Sequence, residues 1–166
     1  MKDLLIVVDM QEGFRSPASE AIVPAIKELI GGFRGEIVFA CFRNERGSMF
    51  DNALKWKKFQ NKREQDIMHE LRGSQRKVLH KNYTIIDNKF ASYIKKSRFR
   101  NVYIAGIYTD VCIIKAAMDA FDNNIRAKVV RDACGSLHGG PNHKFAIDSL
   151  KHIIGKNNVV ATKDVI

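Results

Sequence analysis

Short apolar runs recur along the chain, each followed by a longer amphipathic stretch, and this alternation restricts the possible folds more than any other feature of the sequence. The runs lie at 4–8, 37–42, 77–80, 102–105 and 127–130, with a possible sixth at 159–161. Most are continuously apolar or β-branched, as expected of parallel strands covered on both faces. Between them, helical periodicity appears at 19–32, where Ile22, Ile26, Leu29 and Ile30 share a face and Gly31-Gly32 ends the pattern. A shorter helix is predicted at 87–96, beginning at an Asp cap. Two more fall at 111–123, carrying Ile114, Ala117, Met118 and Phe121, and at 142–154, followed by Gly155. The segment 50–72 is polar and irregular, the part of the chain most suited to form a binding wall. Strands alternating with helices imply right-handed crossovers. The expected fold is a three-layer α/β/α, Rossmann-like arrangement around an open, mostly parallel sheet of five to six strands. With 166 residues and no linker, repeat or low-complexity tract, residues 1–166 are expected to form one domain.

The N-terminal "MKDLLIVVDMQ" does not have the pattern of a signal peptide, because its apolar run is short and Asp9 interrupts it. The three cysteines, Cys41, Cys112 and Cys134, are odd in number and widely spaced, which fits neither a disulfide framework nor a CxxC zinc site. A cytoplasmic protein with free thiols is therefore expected. The net charge is +10, from 28 basic and 18 acidic residues. The basic residues concentrate in "KWKKFQNKR", "SQRK" and "KKSRFR", between the periodic segments, as solvated faces and loops do. No glycine-rich phosphate loop follows the first strand, where "DMQEGF" stands instead, so nucleic acid is not expected as a partner. A basic surface still suits an anionic small molecule.

In an open parallel sheet, functional groups gather beyond the carboxyl ends of the strands. Three reactive side chains fall there: Asp9 after "LLIVV", Lys81 after "VLH", and Cys112 shortly after "VYIAG". Each has an ordinary reading taken alone: a turn-capping or Mg²⁺-binding Asp, a solvated Lys, a packing Cys. Together they form a working set. A helix N-terminus and a nearby ammonium favour a thiolate, and a carboxylate can take the thiol proton and return it to a leaving group. Backbone N–H groups of "GIYTDVC" would hold an oxyanion.

These segments resemble the isochorismatase-like cysteine hydrolase superfamily, which includes nicotinamidases and N-carbamoylsarcosine amidase-like enzymes. "LLIVVDMQEGF" is similar to its opening strand, with the D-x-Q-x-x-F pattern at Asp9, Gln11 and Phe14. "VLHK" is similar to the third strand with its lysine, "AGIYTDVCI" to the nucleophile motif, and "VVRDACGS" to the strand that follows. The resemblance implies a catalytic Asp9–Lys81–Cys112 triad. It also implies a cis peptide at Ile107–Tyr108 that turns backbone donors of Tyr108 and Cys112 towards the substrate carbonyl. Relatives commonly form dimers or tetramers, so a homo-oligomer is implied as well. The chain departs from nicotinamidases after the second strand, where "CFRNERGSMFDNALKW" lacks histidine, so neither a metal nor another cofactor is expected. Cys112 also argues against vinyl-ether hydrolysis, since isochorismatases proper lack the cysteine. The segment "KNYTIIDNKF" keeps Tyr83 but changes the residues around it.

The pocket is expected to draw on Gln11, Phe14, Arg43, Asn44, Trp56, Tyr83 and Tyr108. Arg43 offers a guanidinium fork for a substrate carboxylate, or is a solvated loop residue. Thr109 and Asp110 are expected to cap the following helix, His138 and His143 to be structural, and Cys41 and Cys134 to pack. The expected function is a cysteine hydrolase acting on a small amide, ureido or related carbonyl compound. The alternative is a binding or assembly protein that keeps the fold with a vestigial triad.

Overall fold

β1 (Asp3–Val8) is buried along its whole length and forms the middle of the sheet. β2 (Gly35–Phe42) lies parallel on one side of it and β4 (Val102–Ile107) parallel on the other. β3 (Arg76–His80), β5 (Ala127–Gly135) and the two-residue β6 (Val159–Val160) complete an all-parallel sheet of order β3-β2-β1-β4-β5-β6. This is the expected fold, in a computed structural model that describes residues 1–73 and 75–166.

Alternate side chains of each strand leave on opposite faces, which divides the interior into two cores. Leu4, Ile6 and Val8 join Ala116, Ala117 and Ala120 on one side, under α4 (Asn88–Ser97), α5 (Ile114–Asp122) and α6 (Gly140–Ile153). Leu5 and Val7 join Val23, Ile26 and Leu29 of α1 (Pro17–Gly32) on the other, together with Phe59, Ile67 and Met68 from the irregular segment. That segment holds only the single turns α2 (Met49–Asn52) and α3 (Lys62–Gln65) and one 3₁₀ turn. Among the described residues, no helix is long and apolar enough to cross a membrane.

Local chemistry sets the ends of the helices. α1 begins two residues before its apolar pattern because Ser16 and Ser19 cap it reciprocally, each side chain accepting the other's backbone N–H (3.2 and 2.9 Å), with Pro17 at its start. The Asp87 carboxylate accepts the Phe90 N–H at 2.8 Å and starts α4 where expected. β5 runs five residues beyond its expected end. Exposed Arg131 and Asp132 interrupt its apolar run, but the register with β4 shifts between Ile104 and Gly106 and absorbs them.

The chain builds β1, β2 and β3 outwards in one direction, then returns to lay β4 on the far side of β1. A crevice therefore opens between the carboxyl ends of β1 and β4. Gly106 lets the two strands meet there. Its φ is +118°, and a Cβ at this position would stand 2.1 Å from the Val8 carbonyl oxygen. Gly106→Ala is expected to cost at least about 1 kcal/mol, or to prevent folding. A urea titration monitored by circular dichroism measures this directly.

Candidate active site

Asp9 stands immediately after β1 with φ +55°, in the left-handed region that Asp tolerates better than most residues. Its carboxylate is 1 % exposed. Oδ1 lies 2.7 Å from Nε2 of His80, the last residue of β3, which is itself buried. Oδ2 is buried with no hydrogen-bond partner among the described residues. Beside this carboxylate sits Cys112, in a π-helical turn (Thr109–Ile113) between β4 and α5. The Ile107–Tyr108 peptide that enters the turn is cis.

These groups share a cavity of about 350 Å³. Phe14, Phe42, Phe50, Trp56, Tyr83 and Tyr108 supply aromatic walls, and Asp9, His80, Asn82, Cys112 and His138 supply the polar surface. The rings brace one another: Phe42 meets Phe50 edge-on at 5.0 Å, Phe14 meets Tyr108 at 5.5 Å, and Tyr108 stacks parallel to His138 at 5.3 Å. The irregular segment thus contributes a wall, through Phe50, Leu54 and Trp56.

Asp9 and Cys112 come together as the sequence suggests, but Lys81 does not join them. Its ammonium points to solvent and pairs with Glu45 at 2.6 Å. Side chains alternate along a strand, so β3, which ends at His80 as expected, turns His80 inwards and leaves the next residue, Lys81, facing outwards. Of the expected pocket residues, Phe14, Trp56, Tyr83 and Tyr108 line the cavity, whereas Gln11, Arg43 and Asn44 do not. Gln11 is fully buried and acts as a brace. Its Nε2 donates to the carbonyls of Phe42 and Gln65 (both 2.9 Å), and its Oε1 accepts the Phe42 N–H. Asn44 donates to the carbonyls of Trp56 and Lys58 and accepts from Ser48, pinning the aromatic wall. Arg43 is exposed.

Thr109 and Asp110 do not cap α5. Thr109 Oγ1 bonds Nδ1 of His143 (2.8 Å), and Asp110 Oδ2 bonds Nδ1 of His138 (2.6 Å). These ties hold the Cys112 turn against the start of α6 and the loop before it. His138 therefore does more than occupy a loop, since it also faces the cavity. Spacing gave no sign of this, because the partners are far apart in the chain.

Burial pushes the Cys112 thiol up, and the Asp9 carboxylate pushes it further, while the backbone amide of Tyr108 opposes them. Burial and the neighbouring carboxylate thus favour the thiol over the thiolate expected from a helix terminus and a lysine. Burial also pushes Cys41 and Cys134 up to about 12, as suits packing residues. For His80, burial disfavours the charged ring, but the charge and hydrogen bond of Asp9 outweigh it and the net shift is upward.

The cavity residues do not fit a metal ion. Among the described residues, the one cluster of three ligand-type side chains is Glu12, His69 and Glu70, outside the cavity. There Arg15 already supplies the positive charge, donating to both carboxylates at 2.8–3.1 Å.

A thiol, a carboxylate and an imidazole gathered at the switch point of a parallel sheet describe a hydrolase-type site. The isochorismatase domain family matches residues 3–164, and the chain belongs to that family. No curated protein gives a significant sequence match. Several solved structures share the fold. An isochorismatase-like hydrolase from Alkaliphilus metalliredigens superposes with a TM-score of 0.85 at 19% identity, over 99% of this chain and 97% of its own. N-carbamoylsarcosine amidase from Thermoplasma acidophilum gives 0.81 at 22%, over 93% and 94%. A pyrazinamidase from Pyrococcus horikoshii, in complex with zinc, gives 0.78 at 19%, over 97% and 98%.

Gln11→Ala should strand buried backbone groups of Phe42 and cost about 3 kcal/mol by urea denaturation, whereas Arg43→Ala should change stability by less than about 0.5 kcal/mol. The His80–Asp9 pair should also show in stability against pH. His80 has a folded pKa above its unfolded value, so its contribution is complete below about pH 6.5 and is lost as pH rises through the folded value. Urea titrations between pH 6 and 9 should show this decline in the wild type and not in His80→Gln.

Proposed function

We propose that this isochorismatase-family protein is a cysteine hydrolase that cleaves a small, uncharged amide or ureido compound through a thioester on Cys112. The observation that carries this reading is the Cys112 thiol beside the buried Asp9 carboxylate at the floor of an open cavity. Among the residues lining that cavity there is no Lys or Arg, which favours a neutral substrate over a carboxylate held by Arg43. The likeness to an amidase and a pyrazinamidase supports the C–N bond as the one cleaved.

In the proposed reaction, Asp9 takes the proton from Cys112 as the sulfur attacks the carbonyl carbon. Because the thiol is neutral at rest, proton transfer and attack are coupled, and the nucleophile exists only with substrate in place. The backbone N–H groups of Tyr108 and Cys112 receive the oxyanion, at the cis Ile107–Tyr108 peptide. Collapse of the tetrahedral intermediate breaks the C–N bond, and the amine leaves with the proton held by Asp9. Asp9 then takes a proton from water. The hydroxide adds to the thioester, the acid departs, and the sulfur recovers its proton. Three free thiols suit a reducing compartment, which supports a cytoplasmic location.

Cys112→Ala should lower turnover of a panel of small amides and ureido compounds by at least about a thousandfold while leaving binding in place. Intact-protein mass spectrometry during wild-type turnover should show an acyl adduct that maps to Cys112. Turnover retained by Cys112→Ala would refute the assignment. Tight binding by the wild type without any adduct or product would favour the vestigial, ligand-binding alternative.

A further inference from the structure

We propose that His80, and not Lys81, supplies the positive charge of the Asp9–Cys112 site, so that the thiol is active only while this imidazole holds both of its protons. The inference deepens the hydrolase reading and rests on it for its catalytic meaning.

The hydrogen bonds of the ring carry the argument. Nδ1 lies 2.8 Å from the carbonyl oxygen of Asn82, which can only accept, so Nδ1 carries a proton. Nε2 lies 2.7 Å from Oδ1 of Asp9. Two bare acceptors cannot face each other there, so a second proton sits in this contact, and the upward shift of His80 puts it on the ring, giving imidazolium and carboxylate. Removing that proton would leave two acceptors facing each other in a buried site, an arrangement with a large penalty.

Among the described residues, the other imidazole at the cavity, His138, is bonded to Asp110 and not to Asp9. The ammonium of Lys81 faces away, bound to Glu45, and no Lys or Arg lines the cavity. The groups packed about His80 are few. Asp9 comes from the end of β1, with Cys112 on its other side, and the Phe42 ring of β2 lies 5.5 Å away. Asp119 of α5 adds a more distant negative charge, already held by Lys115 and by the amides of Ile85 and Ile86. On β3 itself, Lys77 is exposed and Leu79 points to solvent. The environment thus favours the doubly protonated ring, in agreement with its upward shift.

The consequence for the sulfur is electrostatic. When Asp9 takes the thiol proton, the site holds a neutral acid, a thiolate and the imidazolium, and the last offsets the charge on sulfur. Without the imidazolium proton, no positive charge beside Asp9 offsets the charge that develops on sulfur, and thiolate formation is opposed. His80 is a positioning residue in this scheme. It fixes and charges Asp9 and does not exchange protons with substrate.

The test needs no substrate. The rate of Cys112 alkylation by iodoacetamide, followed by peptide mass spectrometry from pH 5.5 to 9.5, should show a plateau that falls as His80 loses its proton. Lys81→Met should reproduce the wild-type profile. His80→Gln should react at least about tenfold more slowly at pH 7, and His80→Lys should restore the rate and carry the plateau to higher pH. NMR of ¹³C-labelled histidine in the wild-type protein should show the His80 ring doubly protonated at pH 6.5, which keeps the proposal testable if a variant fails to fold. A neutral ring at that pH, or loss of reactivity in Lys81→Met but not in His80→Gln, would overturn it. A Cys112 acyl adduct with unchanged reactivity in His80→Gln defeats this inference and leaves the hydrolase reading standing. The expected alkylation profile without amide turnover does the reverse.

Discussion

A buried carboxylate and a buried imidazole meet at 2.7 Å at the carboxyl edge of the sheet. Buried singly, either group would be costly, and as a pair they are sustained only by good geometry. That requirement organises much of what surrounds them. β3 must end with His80 pointing inwards, and it does so in register with Phe42 of the intervening strand. Phe42 is held in turn by both polar ends of the Gln11 amide. The left-handed turn at Asp9 completes the alignment, and its unfavourable backbone conformation, worth about 1–2 kcal/mol, is offset by the interactions it permits.

The opposite side of the site is built from β4. Its close approach to β1 at Gly106 leads into the cis peptide and the π-helical turn that presents Cys112. Two histidine contacts, through Thr109 and Asp110, fasten this turn to α6. The sulfur is thereby kept in place by its neighbours and not by its own bonds. Its raised pKa separates this site from those that store a preformed thiolate. A neutral thiol withstands stray oxidants and electrophiles better than a thiolate does.

Most of the architecture was legible because parallel strands buried on both faces must be continuously apolar. Leu4–Val8 and Val102–Ala105 satisfy that condition without interruption. β5 was cut short in the sequence because Arg131 and Asp132 can be carried within a strand only by a change of register, which depends on the partner strand. At the site, Asp9 and Cys112 were legible as reactive groups at strand ends. His80 was not, since "HK" offers two cations at adjacent positions and only the pleat decides which one faces inwards. Gln11 and Asn44 looked like ligands because a polar residue at a strand end can serve either the substrate or the backbone. Their partners, Phe42, Gln65, Trp56 and Lys58, are loop and strand carbonyls that composition does not reveal.

β3 lies at the margin of the sheet, bonded along one side only, and most of its side chains are exposed. Arg76, lying over the Tyr93 ring, and Lys77 protect that margin from annealing to another chain. The same placement ties the Asp9–His80 contact to an edge strand of the sheet. Peeling of five outer residues, a far smaller event than melting of the sheet, would withdraw the imidazole and leave the inner strands intact. The place of the imidazole is thus governed by the hold of a marginal ribbon.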